Sequence, residues 1–184
     1  MKKTVGPKNI LYPMPVVLIG ALVNGVANYM PMAHVGILDF STISLGMGKM
    51  HYTASGIKEN RAFSVNLPSI DMVKETDHCG LVSGMHVDKS PLFEPFFGTL
   101  TTAPMIRECP LNMECRVTQI LDFPKHDIVI GEIVQTYCDE EVLTDGELDY
   151  TKIRPILFTM AGHGFWKLGE RFATAWEVGK EFKG

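Results

Sequence analysis

The sequence lacks the marks of several common protein classes. Its four cysteines, Cys79, Cys109, Cys115 and Cys138, include no Cys-x-x-Cys pair, so neither a zinc ribbon nor a thioredoxin-type pair is supported. No Gly-x-Gly-x-x-Gly fingerprint for a tightly held dinucleotide is present. The longest apolar run, residues 16–23, is far too short to cross a bilayer, and residues 1–9 do not form a signal peptide. We therefore expect a cytoplasmic protein that makes no membrane contact.

Positive charge is also sparse. The formal net charge is −4 and no long basic block occurs, which argues against a nucleic-acid surface. His34, His51 and His126 are scattered, with no i, i+4 pair on a helix, so we predict no metal site. The 184 residues are 46% hydrophobic, which suits one domain over residues 1–184 with a sizeable core.

Residues 24–53 are the part of the chain that suggests a ligand. Asn24-Gly25 is a strong signal for a type I′ hairpin turn. Pro31 follows soon after, and because proline has no N–H it fits poorly inside a sheet. The backbone near Pro31 is therefore predicted to leave the sheet or to run along its edge. Its free polar groups would then face a planar ligand with a polar rim.

The end of the same segment carries groups that suit a phosphate. Lys49, His51, Tyr52 and Thr53 combine a cation, an imidazole and two hydroxyls where a strand meets a predicted helix start. Helix N-termini and charged donors bind phosphate well. Together the two halves indicate a nucleotide-like ligand with a flat ring and a phosphate. On residue type alone, Lys49 and Lys89 could equally be solvated lysines, and Thr53 could be only a helix cap.

The hydrophobic pattern predicts a mainly β protein. We expect strands at 16–23, 26–30, 35–38, 43–47, 62–67, 112–123, 127–137 and 156–160. Short helices are predicted from Thr53 or Ser55 to Asn60 and over residues 69–76, followed by a loop at 77–84. The two long strands, joined near Pro124, favour a small antiparallel barrel with short helices between strands.

Several motifs together resemble the flavoredoxin branch of the flavin reductase-like family. They include Tyr12-Pro13-Met14-Pro15, Asn28-Tyr29-Met30, Lys49 to Thr53, Gly56 to Asn60, the stretch Asp77-His78-Cys79-Gly80 to Gly84, Val87-Asp88-Lys89, Cys109 to Cys115, His126-Asp127-Ile128, and Trp166 with Leu168-Gly169-Glu170. The resemblance covers nearly the whole chain. It implies an FMN-binding split β-barrel, a homodimer, and FMN near the subunit interface.

The resemblance also implies roles for particular residues. Tyr29, Met30, Pro31, Met32, Ala33 and His34 would line the flavin ring, and Lys49, Tyr52 and Thr53 would take the phosphate, with Lys89 as a second cation. Asn28 and His51 complete the predicted cofactor-binding residues. Cys79 and Ser83 would lie near the flavin, and His126 and Trp166 would close the site. His34 stands where the family often has a large aromatic residue, which would lower stacking area and shift flavin affinity. Cys79 beside His78 could alternatively be a nucleophile or a redox thiol.

The resemblance leaves three functions open. The chain is expected to act in electron transfer as a flavoredoxin-like carrier that exchanges electrons with a partner protein, or as an NAD(P)H:flavin oxidoreductase. No dedicated acid–base or nucleophilic catalytic set is predicted, because the flavin performs the redox chemistry. The alternative is a non-catalytic ligand-binding or structural dimer of the same fold that has weak or lost flavin binding, an idea motivated by His34.

Overall fold

A curled antiparallel sheet forms the body of the protein in the computed structural model, which describes residues 1–182. The sheet has the order β3-β2-β6-β9-β10-β5-β4. The strands are β1 (Met14–Pro15), β2 (Val17–Val23), β3 (Val26–Met32), β4 (Val35–Ile37), β5 (Thr42–Gly48), β6 (Ala62–Leu67), β7 (Pro95–Phe96), β8 (Met105–Ile106), β9 (Leu111–Asp122), β10 (His126–Cys138), β11 (Leu143–Thr144), β12 (Glu147–Leu148), β13 (Ile156–Thr159) and β14 (Gly164–Lys167). The prediction of a mainly β fold with a split barrel is confirmed.

Short helices cross the ends and one face of the sheet. The α-helices are α1 (Tyr52–Asn60), α2 (Val73–Leu81) and α3 (Tyr150–Ile153), and single 3₁₀ turns lie at Ile70–Met72, Ser90–Leu92, Glu140–Val142, Ala161–His163 and Val178–Glu181. No helix within residues 1–182 combines the length and apolar character that crossing a bilayer requires.

Strand β2 explains why the chain contains an uninterrupted apolar run. Val17, Ile19 and Ala21 pack into the main core inside the curled sheet. Leu18, one residue out of phase, packs on the opposite face in a second core. Because successive side chains of a strand point to opposite faces, a strand buried on both sides must be apolar throughout.

Strand β3 is an edge strand, as the prediction for the Pro31 region required. Pro31 pairs with Leu18 of β2, and no described strand lies on the other side of β3. The missing N–H of proline is tolerated at a sheet edge. The strand runs two residues further than predicted, to Met32, because Met30 and Met32 both reach the main core.

The predicted loop at 77–84 is wrong over its first part, because α2 continues to Leu81. Thr76 and Cys79 are buried three residues apart on one side of this helix. Cys79 belongs to the second core, where it packs with Tyr29 of β3. This tertiary packing outweighs the helix-breaking tendency of Gly80.

A buried carboxylate holds the loop before β8. Glu114 of β9 is fully buried, and its oxygens accept hydrogen bonds from Thr99 N at 3.0 Å, Leu100 N at 2.6 Å and the Tyr137 hydroxyl at 2.8 Å. Burial alone would raise the pKa of Glu114, but the hydrogen bonds outweigh it and lower that pKa below its ordinary value near 4.5.

We expect Glu114 to link folding stability to pH on the acid side. A folded-state pKa below the unfolded one adds stability that is complete above about pH 4.5 and is lost as pH falls through the folded pKa. Glu114→Gln should lower the free energy of unfolding at pH 7 by about 2 kcal/mol, and should flatten its decline below about pH 4.5. Urea unfolding from pH 3 to 7 measures both effects. The exposed Glu59→Gln is the control, and parallel curves for wild type and E114Q would contradict the prediction.

Candidate functional site

A cavity of about 360 Å³ lies where β3, the start of α1 and the end of α2 meet. Its size is within the range of small-molecule sites. Nine of its lining residues were predicted to bind the cofactor: Asn28, Met30, Pro31, His51, Tyr52, Thr53, Cys79, Ser83 and Lys89. Strand, helix and loop residues far apart in sequence therefore line the same cavity.

The start of α1 presents an uncapped helix N-terminus to this cavity. The N-cap is His51, whose side chain makes no capping hydrogen bond. The prediction that Thr53 or Ser55 caps the helix is wrong, because the helix begins earlier, at Tyr52. Within residues 1–182 the backbone N–H groups of Tyr52 and Thr53 find no acceptor. Free N–H groups at a helix start favour an anion.

Lys89 brings a buried positive charge to the same cavity. Only 3% of Lys89 is exposed, and its ammonium donates to the carbonyl oxygens of Tyr29 at 3.0 Å and Cys79 at 2.7 Å. No carboxylate of the described chain lies within 4.0 Å of it. Burial lowers the pKa of Lys89, since a buried ammonium without a counter-charge is unfavourable.

The two carbonyl bonds leave one donor of the Lys89 ammonium without a partner in the described chain. An ammonium has three N–H donors. Because Lys89 lines the cavity, the remaining donor is available to a ligand there. An anion in the cavity would supply the counter-charge that the protein itself does not provide.

A tight turn after α2 closes one side of the cavity. The N–H groups of His86 and Val87 both donate to the Ser83 carbonyl, and Met85 N donates to the Ser83 hydroxyl. A Cβ on Gly84 would overlap both the Asn28 carboxamide oxygen and the Tyr52 ring. Any other residue at position 84 would force the Asn28 or Tyr52 side chain to move, so glycine lets the turn approach β3 and α1 this closely.

The titratable groups beside Lys89 are neutral at pH 7. Burial is the main cause that lowers the pKa of His51, and the nearby charges of His126 and Lys89 lower it further. Burial raises the pKa of the Cys79 thiol to about 11, against the opposing effect of Lys89. A protonated thiol is a poor nucleophile, so the structure does not favour the alternative of a reactive Cys79.

The remaining predicted residues lie outside the lining of the cavity. They are Tyr29, Met32, Ala33, His34, Lys49, His126 and Trp166. The Tyr29 side chain is buried in the second core, edge-on to Phe93 with ring centroids 5.5 Å apart, and only its carbonyl serves the site, through Lys89. The His34 ring is 3.1 Å from the Tyr12 hydroxyl.

The side chains of Lys49 and Trp166 bind other protein groups, outside the lining of the cavity. Lys49 forms ion pairs with Asp122 and with Asp127, the latter at 3.7 Å. Its charge is therefore already balanced at the β9–β10 end of the barrel. The Trp166 indole donates to the Thr159 hydroxyl at 2.9 Å across β13 and β14. The prediction that these residues contact a ligand has no support from the cavity.

Sequence reasoning missed five lining residues. They are Met50, Gly80, Leu81, Val82 and Gly84. Gly80 and Leu81 belong to the end of α2, whose extent the glycines concealed, and Val82 and Gly84 lie just beyond it, on either side of Ser83. Met50 precedes the helix start and is 92% exposed, so it forms an apolar rim at the mouth of the cavity.

Comparison with known proteins identifies the family of this chain. A family model described as "Flavin reductase like domain" matches residues 10–158. The chain belongs to the flavin reductase-like family. The cavity residues between Asn28 and Lys89 all fall inside the matched range of this flavin reductase-like chain.

Solved relatives in the family share the fold over almost the whole length. A flavoredoxin from Methanosarcina acetivorans is 46% identical, and the match covers 98% of both chains with a TM-score of 0.95. The flavoredoxin of Desulfovibrio vulgaris (Miyazaki F) is 31% identical over 97% of this chain and all of that one, with a TM-score of 0.90. A protein of Archaeoglobus fulgidus described as uncharacterised is 34% identical over 148 residues, which are 76% of this chain and 80% of the relative. The predicted resemblance to flavoredoxins is thus confirmed.

Proposed function

We propose that this flavin reductase-like protein binds FMN in the cavity between β3, α1 and α2 and acts in electron transfer. Two of its solved relatives are named flavoredoxins. The observation that carries the proposal is Lys89. A buried ammonium that has no carboxylate partner in the described chain, beside an uncapped helix N-terminus, is a site built for an anion. The phosphate of FMN is an anion of suitable size.

The proposal assigns the phosphate end to the start of α1. The free N–H groups of Tyr52 and Thr53 would donate to the phosphate, and the Thr53 hydroxyl would add a third donor. Lys89 would supply the positive charge. Lys49 has no part in this set, because Asp122 and Asp127 already neutralise it. His51 would act as a neutral hydrogen-bonding group.

The flavin ring of FMN would pack against apolar side chains of the cavity. Met30, Pro31, Met50 and Leu81 line the cavity, and methionine adapts its shape to flat aromatic surfaces. The neutral Cys79 thiol would present a polarizable surface without adding negative charge near the ring. FMN would supply the hydride and single-electron chemistry, and the protein would bind it, orient it and set its electrostatic surroundings.

We further propose that two copies associate, with FMN near their interface. Large exposed aromatic side chains near the C-terminal end support association: Phe172 is 99% exposed, Trp176 92% and Phe182 83%. Three large aromatic side chains this exposed within one short stretch of chain favour contact with another protein surface. Light scattering of the purified protein tests this, and a strictly monomeric mass over the micromolar range would reject it.

The first test of the proposal is flavin binding. We expect FMN added to the purified protein to lose fluorescence on binding, and the complex to stay yellow after gel filtration. The melting temperature should also rise with FMN concentration, because a ligand that binds only the folded state stabilises it. Protein that neither retains nor quenches FMN would reject the proposal and favour the non-catalytic alternative.

The second test separates the reductase from the electron carrier. The FMN-loaded protein is mixed with NADH or NADPH and excess FMN, and oxidation is followed by absorbance. A nicotinamide would have to bind transiently at the flavin, since the sequence has no dinucleotide fingerprint. Oxidation above the protein-free rate supports an NAD(P)H:flavin oxidoreductase. A rate equal to the blank leaves the protein as a carrier that exchanges electrons with a partner protein.

A further inference from the structure

Asn28 and Thr53 form a buried polar pair behind the proposed phosphate position. Asn28 lies on the edge strand β3 and is 4% exposed, and Thr53 lies in the first turn of α1 and is 2% exposed. The Asn28 carboxamide N–H donates to the Thr53 hydroxyl oxygen at 2.7 Å. The two residues are 25 apart in sequence, so the bond joins the sheet edge to the helix start.

This bond determines what the Thr53 hydroxyl can do with its own proton. A helical Ser or Thr commonly donates that proton to a backbone carbonyl one turn earlier. Ser55 in the same turn of α1 behaves in this way, donating to the Tyr52 carbonyl at 2.7 Å. Thr53 makes no such bond within residues 1–182. Because its oxygen already accepts from Asn28, its proton remains free for a group in the cavity.

The Asn28 carboxamide directs its N–H toward Thr53 and its oxygen toward the turn at Gly84, where a Cβ on residue 84 would overlap it. The opposite orientation would make Asn28 an acceptor. It would then take up the Thr53 proton and remove the donor from the cavity.

We propose that Asn28 is a positioning residue for phosphate recognition: it holds the Thr53 hydroxyl as an acceptor so that the O–H points at the phosphate. The inference rests on the proposed function and adds to it a specific determinant of FMN over riboflavin, the same flavin without the phosphate. Asn28 itself acts through Thr53 and needs no contact with the ligand.

The test is a double-mutant cycle read as a ratio of affinities. Dissociation constants for FMN and for riboflavin are measured by fluorescence quenching for wild type, Asn28→Ala, Thr53→Val and the double variant. The riboflavin measurement cancels changes at the ring end, and thermal unfolding checks that each variant is folded. Thr53→Ser, which keeps the hydroxyl, and Ser55→Ala, whose hydroxyl donates back to the helix, are the matched controls.

We expect Thr53→Val to lower the preference for FMN over riboflavin about tenfold, which is typical for losing a hydrogen bond to a charged group. Asn28→Ala should lower it roughly threefold to tenfold in the wild-type background, and by less than about twofold in the Thr53→Val background, where the hydroxyl is already absent. Ser55→Ala should keep the wild-type ratio, and Thr53→Ser, which retains a hydroxyl, should recover most of the preference for FMN that Thr53→Val loses. If Asn28→Ala does not fold, Asn28→Leu, of similar size but with neither donor nor charge, enters the same cycle.

The outcomes distinguish this inference from the proposed function. Equal losses from the Asn28 substitution with and without the Thr53 hydroxyl overturn the positioning role, as does an unchanged ratio in Asn28→Ala. Wild-type protein that binds neither flavin, or binds riboflavin as tightly as FMN, overturns the proposed phosphate site itself.

Discussion

Lys89→Met is expected to weaken FMN binding at least about 100-fold, the range found when one partner of a buried charge pair is removed. The reason is that Lys89 is the buried cation of the cavity, and its ammonium has no carboxylate within 4.0 Å in the described chain. Methionine keeps the length and apolar stem of lysine but brings neither charge nor donors. The measurement is FMN titration followed by fluorescence.

The stability of the unliganded Lys89→Met variant should change much less than its affinity. The substitution leaves the Tyr29 and Cys79 carbonyls without their donor, which is destabilising. It also removes a buried charge that is costly in the empty protein, so the two effects oppose each other. Lys74→Met, an equal charge change on the exposed side of α2, is the control. Equal FMN affinity for Lys89→Met and wild type would show that the phosphate is bound elsewhere.

Gly56→Ala is expected to lower the free energy of unfolding by about 3 kcal/mol, the upper part of the range for overpacking. Gly56 is buried in the middle of α1, and a Cβ there would overlap the Leu22 carbonyl oxygen and lie 2.9 Å from Val23 Cγ2. The Asn60 side chain, which donates to the carbonyls of Leu22 and Gly56 at 2.9 Å each, ties the helix to β2 at this point. The helix cannot withdraw without breaking this tie.

The sign of this effect is opposite to what helix propensity predicts. Alanine in a helix interior is favoured over glycine by about 1 kcal/mol, so an unconstrained site would be stabilised. The overlap with backbone atoms outweighs that gain, and the melting temperature should fall by roughly 6–12 °C for a chain of this size. Gly169→Ala is the control, because a Cβ there meets nothing within 4 Å. A melting temperature at or above that of wild type would show that α1 can move away from β2.

A second consequence of Gly56→Ala concerns the site. Any shift of α1 moves the free N–H groups of Tyr52 and Thr53, which the proposed function places against the phosphate. We therefore expect the FMN affinity of the folded variant to drop as well, whereas Gly169→Ala should bind FMN as wild type does. FMN titration below the melting temperature of the variant separates this loss of affinity from loss of folded protein.

The sequence by itself determined the seven strands of the main sheet and most of their bounds, but it did not predict the short strands β1, β7, β8, β11, β12 and β14. β6 was predicted residue for residue at Ala62–Leu67, and the ends of β9 and β10 differ from the prediction by one residue. The periodicity of buried residues and the turn signals at Asn24-Gly25 and near Pro124 are local, and local patterns can be read without knowing what packs on them. The ordered motifs were likewise sufficient to identify the family.

Only the tertiary structure decided which of the cations face the cavity. Lys49 and Lys89 are equivalent as residue types, but the first meets Asp122, 73 residues away, and the second is enclosed by carbonyls of β3 and α2. In the same way, helix α2 passes through Gly80 because Cys79 is held in the second core. The counter-charges and packing partners come from distant parts of the chain. A local stretch of sequence therefore does not show which of two alternatives has the lower free energy.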